Sequence, residues 1–253
     1  MQGWGDLERE LDRWHQAGER ATFWWRDDDA EAPTAALDRK LALARRHSVP
    51  LHLAVVPARA GSAIAERCRG EPDLHVMQHG FAHRNHEPDA APASEFGENR
   101  RIESQLDDLR EGWRRLAAAG MPNLLPTFVP PWNRIAPATM NRLGGLGYRA
   151  ISASRGRSNS APVPGLARVD VQCDPIRWKS GARFRGTART VSSLVEHLTA
   201  RRLEELGKRE PTGVSTHHLQ ADEEVWDFCD ELVARLTRHP AARWVPLTEL
   251  VEM

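Results

Sequence analysis

Short apolar runs of strand length alternate with longer stretches of helical periodicity along nearly the whole chain, and this alternation most limits the fold. Residues 21–26 (ATFWWR), 51–56 (LHLAVV), 74–78 (LHVMQ), 127–129, 148–152, 167–171, 214–217 and 244–245 read as strands. Between them, residues 33–47, 60–69, 99–119, 137–146, 191–206 and 223–236 read as helices. In the first of these Leu37, Leu41, Leu43 and Ala44 share an apolar side, and in the third Ile102, Leu106, Leu109, Trp113 and Leu116 do so. Strand-then-helix repetition predicts parallel strands joined by crossover helices. About seven such units without a dividing linker fit one α/β domain, a closed or nearly closed (β/α) barrel, better than two domains. The expected domain spans residues 1–253, with residues 1–20 an N-terminal helix marked by Trp4, Leu7, Leu11 and Trp14. Segments 87–93 and 154–164 read as surface loops.

Composition narrows the function classes. Lys plus Arg and Asp plus Glu both number 35, so the net charge is zero and a broadly basic nucleic-acid surface is not expected. No apolar stretch approaches the ~20 residues of a membrane span, and the start lacks the basic-then-apolar order of a secretory signal. Cys68, Cys173 and Cys229 are far apart and odd in number, which reads as reduced thiols of a cytoplasmic protein. Nine tryptophans stand beside one tyrosine. Trp24, Trp25, Trp132 and Trp178 adjoin polar motifs, where aromatic rings serve as sugar platforms or as ordinary core.

In parallel barrels the working residues gather at the C-terminal ends of strands, and the polar motifs fall there. Arg26-Asp27-Asp28-Asp29 follows the first strand. An isolated run of this kind is usually a solvated turn, but three adjacent carboxylates at a strand end call for a cation to offset them. His79-Gly80-Phe81-Ala82-His83 follows the third strand. Its two histidines are four apart, a spacing that would place both imidazoles on one side of a helical turn, as in zinc sites. With one aspartate they make a two-His, one-carboxylate set that leaves positions open for water and substrate. Phe128-Val129-Pro130-Pro131-Trp132-Asn133-Arg134 makes a stiff turn suited to fixing Trp132 and Arg134 at a rim. Asp170–Asp174 with Trp178, and Ser215-Thr216-His217-His218, complete the set. A histidine at a strand end is either a general acid or a hydrogen-bonded structural residue.

These five motifs, in this order, resemble those of the polysaccharide deacetylases, the NodB-homology carbohydrate esterases. Here they stand as RDDDA, HGFAH, FVPPWNR, VDVQCDPIRW and STHH, across residues 21–218. The resemblance implies a distorted (β/α) barrel with seven parallel strands and a divalent metal ion; the two-His, one-carboxylate donor set suits zinc first, and also iron, cobalt, nickel or manganese. It implies a substrate that is a carbohydrate or another small molecule bearing an acyl group, N-acetyl above all. It implies His79 and His83 as metal ligands, His217 as general acid, and an Asp pair of general base and ligand. Aligned through the downstream Ala-Pro, that pair is Asp28 (base) and Asp29 (metal), with Asp27 an extra acid. Asp27 with Asp28, and Asp27 with Asp29, are the competing registers. Trp132, Arg134, Arg26 and Asp174 are the expected orienting and substrate- or oxyanion-contacting residues, a backbone amide near Trp132 among the oxyanion donors. Where the family places an Arg before the first Pro, this chain has Val129. Arg26 and Arg134 are the candidates to replace it. Relatives on this fold hydrolyse non-sugar amides or cyclic ureides, and a metal-binding or carbohydrate-binding pseudoenzyme is the third expectation.

Overall fold

Strand periodicity sends successive side chains of the ten-residue strand Ala21–Ala30 into two different interiors. Phe23 and Trp25 join the larger apolar cluster between sheet and helices. Trp24 joins a smaller one with Ala54, Met77, Leu125, Val129, Val169 and Val171, around which the sheet curls. A strand buried on both faces must read as a nearly unbroken apolar run, and ATFWW does.

The computed structural model describes residues 3–154, 163–206 and 210–251. In chain order the elements are α1 (Trp4–Gln16), β1 (Ala21–Ala30), α2 (Ala35–His47), β2 (Leu51–Val55), α3 (Ser62–Cys68), β3 (Leu74–His79), α4 (Ile102–Ala118) and β4 (Leu124–Val129). Then follow α5 (Pro137–Met140), β5 (Ala150–Ile151), β6 (Ala167–Arg168), β7 (Ile176–Arg177) and β8 (Arg183–Phe184). The last are α6 (Thr187–Arg202), β9 (Thr212–Thr216), α7 (Glu223–Arg238), β10 (Ala242–Trp244) and α8 (Leu247–Leu250).

Seven parallel strands form the curled sheet of a distorted (β/α) barrel, in the order β9-β1-β2-β3-β4-β5-β6. The chain beyond β6 closes the curl, because Cys173 bridges Val214 of β9 in parallel. β10 pairs with the start of β1, at Ala21–Phe23. Below it, Leu247 and Val251 plug the smaller core. The Leu247 N–H donates to Nε2 of the fully buried His52 at 2.8 Å, and Nδ1 of His52 donates to the Trp25 carbonyl at 2.9 Å.

The N-terminal helix is present, and it buries Leu7, Leu11 and Trp14. Each such side chain contributes roughly 1.5–3 kcal/mol of burial. Thr34 and Asp222 cap α2 and α7 by accepting from Leu37 N and Val225 N. The helix expected at residues 137–146 is split into α5 and a 3₁₀ turn at Gly144–Leu146. Its second half carries Gly144-Gly145, and glycine is among the weakest helix formers. The strands expected at 148–152 and 167–171 shorten to β5 and β6. The antiparallel hairpin β7–β8 has no counterpart in the residue pattern, since two-residue strands carry no periodicity. Of the loop expected at 154–164, residues 155–162 lie outside the described residues. No described helix is long and apolar enough to cross a membrane.

Candidate metal centre and its pocket

Alternation along β1 separates the three aspartates. Asp27 shares the outward parity of Trp25 and is fully buried against α2 and the turn after β9. Its Oδ2 lies 3.3 Å from Lys40 Nζ and accepts from Thr216 Oγ1 at 2.6 Å. Its Oδ1 pairs with His218 Nδ1. Burial opposes ionisation of Asp27, but the charges of Lys40 and His218 prevail and hold its carboxyl well below the usual range. Lys40 is itself wrapped by the rings of Trp25 and Trp226, 4.9 and 4.6 Å away. Asp28 has the opposite parity and faces inward with Arg26. Asp29 would return outward, but its φ of 67°, at a register shift between β1 and β2, turns it towards His79 and His83.

The His79–His83 segment is not the helical turn its spacing suggests. His79 ends β3, and no helix covers residues 80–83. Gly80 has φ 56° and His83 φ 52°. At Gly80 a Cβ would stand 2.1 Å from Glu95 Oε2 and 2.4 Å from Pro131 Cγ, so a larger residue is excluded. The buried Glu95 carboxylate accepts from Phe81 N (3.0 Å) and Ala82 N (2.7 Å), which fixes the turn between the two histidines. Gln78 supports it from behind, donating to the Gly80 carbonyl at 3.0 Å and accepting from Tyr148 OH at 2.6 Å.

The turn leaves Asp29 Oδ1 3.1 Å from His79 Nε2 and 3.3 Å from His83 Nε2. One ligand atom from each residue lies within 4.8 Å of the others. His79 Nδ1 donates to the Val129 carbonyl at 3.0 Å, which keeps the Nε2 lone pair for a metal. Burial raises the pKa of Asp29, but the hydrogen bond from His79 and the charges of His79, His217 and His83 outweigh it and lower the carboxyl well below its usual range. For His79, burial is likewise outweighed by Asp29 and Asp28, and its pKa rises. Burial and the neighbouring His79 lower that of His83, which favours the neutral ligand form. Two imidazoles and one carboxylate, converging at a buried strand end, fit a divalent cation.

Asp28, Asp29, His79, His83, Trp132, Asn133, Asp174, Trp178, Arg185 and His217 line one cavity of about 450 Å³. No family model and no curated protein matches the sequence. Solved structures do match the fold. A Mycobacterium smegmatis protein described as a polysaccharide deacetylase superposes with a TM-score of 0.64 at 14% identity, over 92% of this chain and 89% of that one. The chain has the polysaccharide-deacetylase fold. An allantoinase shares it at TM-score 0.66 and 12% identity, with the same 92% and 89% coverage. A family 4 esterase pseudoenzyme from Bacillus anthracis does so at 0.52 and 14%, over 91% and 65%.

Within that deacetylase fold, Val129 is an apolar residue of the inner core. Arg26 pairs with the inward aspartate instead, its Nε 2.9 Å from Asp28 Oδ1 and its Nη2 2.9 Å from Oδ2. The same guanidinium donates to Asn133 Oδ1 (2.9 Å), Ser152 Oγ (2.7 Å) and the Ser152 carbonyl (3.1 Å). Arg134 does not take this place. It donates to the Ala93 carbonyl at 2.9 Å, because the backbone at Trp132 and Asn133 is left-handed and turns the following residue away. The Trp132 ring packs on His83, centroids 4.3 Å apart.

His217 closes the opposite wall. Its Nε2 is 3.6 Å from Asp28 Oδ2 and its Nδ1 3.9 Å from Asp174 Oδ2. Asp174 is held by Ile176 N and Trp178 Nε1, both at 2.8 Å, and the Trp178 ring stands edge-on to His217 at 4.6 Å. His218 belongs to the Asp27 pair rather than to the cavity. No residue pattern assigned a role to Glu95, Asn133, Ser152, Lys40 or Arg185.

Proposed function

We propose that this protein is a metal-dependent hydrolase that removes an acyl group, N-acetyl in the first instance, from an amino sugar or related carbohydrate. The carrying observation is the convergence of Asp29, His79 and His83 within 4.8 Å of one another, in the same cavity as Asp28 and His217. Asp29 Oδ1 and the Nε2 atoms of His79 and His83 are the ligands assigned to the ion, and zinc suits them. When bound, such an ion polarises an acyl oxygen and acidifies a water at neutral pH.

Asp28 is the general base. Arg26 Nη2 donates to Oδ2, which also accepts from Ser215 Oγ at 3.5 Å, so the carboxylate stays oriented while Oδ1 keeps its lone pairs to accept the proton of the attacking water. The water oxygen bonds to the carbonyl carbon, and a backbone amide at Trp132 is assigned to the developing oxyanion. His217, on the far wall, gives its proton to the departing nitrogen as the C–N bond breaks. Free amine and carboxylic acid are the products. Trp132 and Trp178 line the cavity as apolar walls for the substrate. A cytoplasmic setting, with a small-molecule or carbohydrate substrate and no nucleic acid, accords with the composition.

The test is release of acetate from N-acetylated sugars by metal-loaded protein. Turnover abolished by chelation and by His79→Ala supports the reading; turnover indifferent to both overturns it. The likeness to an allantoinase favours one second reading, hydrolysis of a cyclic ureide by the same groups. Mass spectrometry of products from both substrate classes separates the two.

A further inference from the structure

One cation in the cavity has no carboxylate partner among the described residues. The charges of Asp28 and Asp29 are met by Arg26 and by the two histidines. The Asp174 carboxylate is occupied by Ile176 N and Trp178 Nε1. Arg185 also lines the cavity and is half-buried. The only bond from its guanidinium among the described residues is from Nη1 to the Asp174 carbonyl, at 3.2 Å. A guanidinium carries five N–H donors in a planar fork, so most of its capacity is uncommitted among the described residues. Its position is built. The β7–β8 hairpin pairs Ile176 with Phe184, and Arg185 N donates to the Pro175 carbonyl at 2.8 Å.

We infer that Arg185 binds an anionic group, carboxylate or phosphate, on the amine portion of the substrate. The sidedness rests on the acyl-hydrolase reading. Arg185 is anchored to Asp174, whose carboxylate faces His217, and His217 protonates the leaving nitrogen. The acyl group then lies towards His79, His83 and Trp132, and the rest of the molecule lies towards Arg185 and the rim residue Trp178, which is 43% exposed. A cavity of about 450 Å³ suits one small molecule. The substrate class is therefore a small N-acyl compound with an acidic group on its amine half. Arg is suited to the task because its fork binds carboxylate or phosphate through two parallel bonds.

The probes are N-acetylglucosamine (neutral), N-acetylglucosamine 6-phosphate and the carboxylate-bearing N-acetylmuramic acid. Binding is measured by calorimetry and turnover by acetate release, for wild type, Arg185→Met and Arg185→Lys, each first checked for an unchanged melting temperature. We expect at least one anionic probe to bind about tenfold or more tightly than the neutral one. That preference should vanish in Arg185→Met and be partly kept in Arg185→Lys. The better of the two anionic probes identifies the anion. Equal binding of all three probes to wild type, or a preference that survives Arg185→Met, overturns the inference while leaving the hydrolase reading intact. Anion-selective binding lost in Arg185→Met without any turnover supports the anion site and counts against the hydrolase reading.

Discussion

Arg26 Nη2 donates to Asp28 Oδ2 at 2.9 Å, and its Nε lies 2.9 Å from Oδ1 as an ion pair, from two residues away on the same strand. Both side chains face inward because strand residues i and i+2 share a face. In the proposed mechanism this pair takes the part that the deacetylase resemblance assigns to an arginine at position 129. Both groups are fully or almost fully buried, so Arg26→Ala leaves an unpaired buried carboxylate and should cost about 3–5 kcal/mol in denaturant unfolding. Arg26→Lys keeps the charge but loses the fork. Its kcat should drop by roughly tenfold or more with a smaller loss of stability. A lysine variant of wild-type activity would show that the fork does not orient Asp28.

The aspartate register is open to a pair of matched variants. Asp27→Asn breaks the buried contact with Lys40 and His218, so unfolding should become easier by about 3–5 kcal/mol, while metal binding to the folded protein persists. Asp29→Asn should weaken metal binding by an order of magnitude or more, whatever stability it loses with its contacts to His79 and His83. Calorimetric metal titration beside urea unfolding reads both. Metal loss in Asp27→Asn alone would reverse the assignment.

Glu95 holds the backbone of the His79–His83 turn through Phe81 N and Ala82 N. Glu95→Gln turns one acceptor into a donor facing an N–H, which should cost about 1–3 kcal/mol. It should also weaken metal affinity although every ligand remains. Gly80→Ala meets both a left-handed backbone and the Glu95 carboxylate, so it should lose metal binding outright. A Gly80→Ala protein that binds metal normally would refute this account of the turn.

His52 sets a pH dependence at the other end of the barrel. Its neutral ring donates to Trp25 and accepts from Leu247. Burial, then the charge of His75, push its pKa from 6.5 down to about 3. Between those values the unfolded chain binds the extra proton, so this contribution to stability is complete above pH 6.5 and falls with pH until about 3. The slope is about 1.4 kcal/mol per pH unit. His52→Gln should be less stable at pH 7.5 yet flatter between pH 6.5 and 4.5, by urea unfolding at each pH. Parallel curves for wild type and variant would contradict the buried neutral imidazole.

Much of this was legible in the sequence. The strand-helix alternation carried the barrel, because each run had to bury apolar surface on both faces of a sheet. The order of motifs carried the strand ends at which Asp28, Asp29, His79 and His217 lie. What stayed hidden depends on backbone conformation. Strand parity alone groups Asp29 with Asp27, and only a left-handed residue at 29 turns it back. The HxxxH spacing suits a helix equally well, and a left-handed Gly80 with a distant Glu95 decides otherwise. Arg134 looked placed for the site, but the left-handed pair at 132 and 133 sends it to Ala93. Lys40 and Arg185 sit in ordinary-looking helical and loop sequence, and their partners come from remote segments.

The central claim is that Asp29, His79 and His83 bind a single divalent ion. Anomalous diffraction at the zinc edge, on crystals of protein purified without chelator and supplied with zinc, tests it most directly. The account predicts one peak per chain at about 2.0–2.2 Å from Asp29 Oδ1 and from Nε2 of each histidine, absent in His79→Ala. A peak elsewhere on the chain, or an empty triad in zinc-loaded crystals, would contradict it.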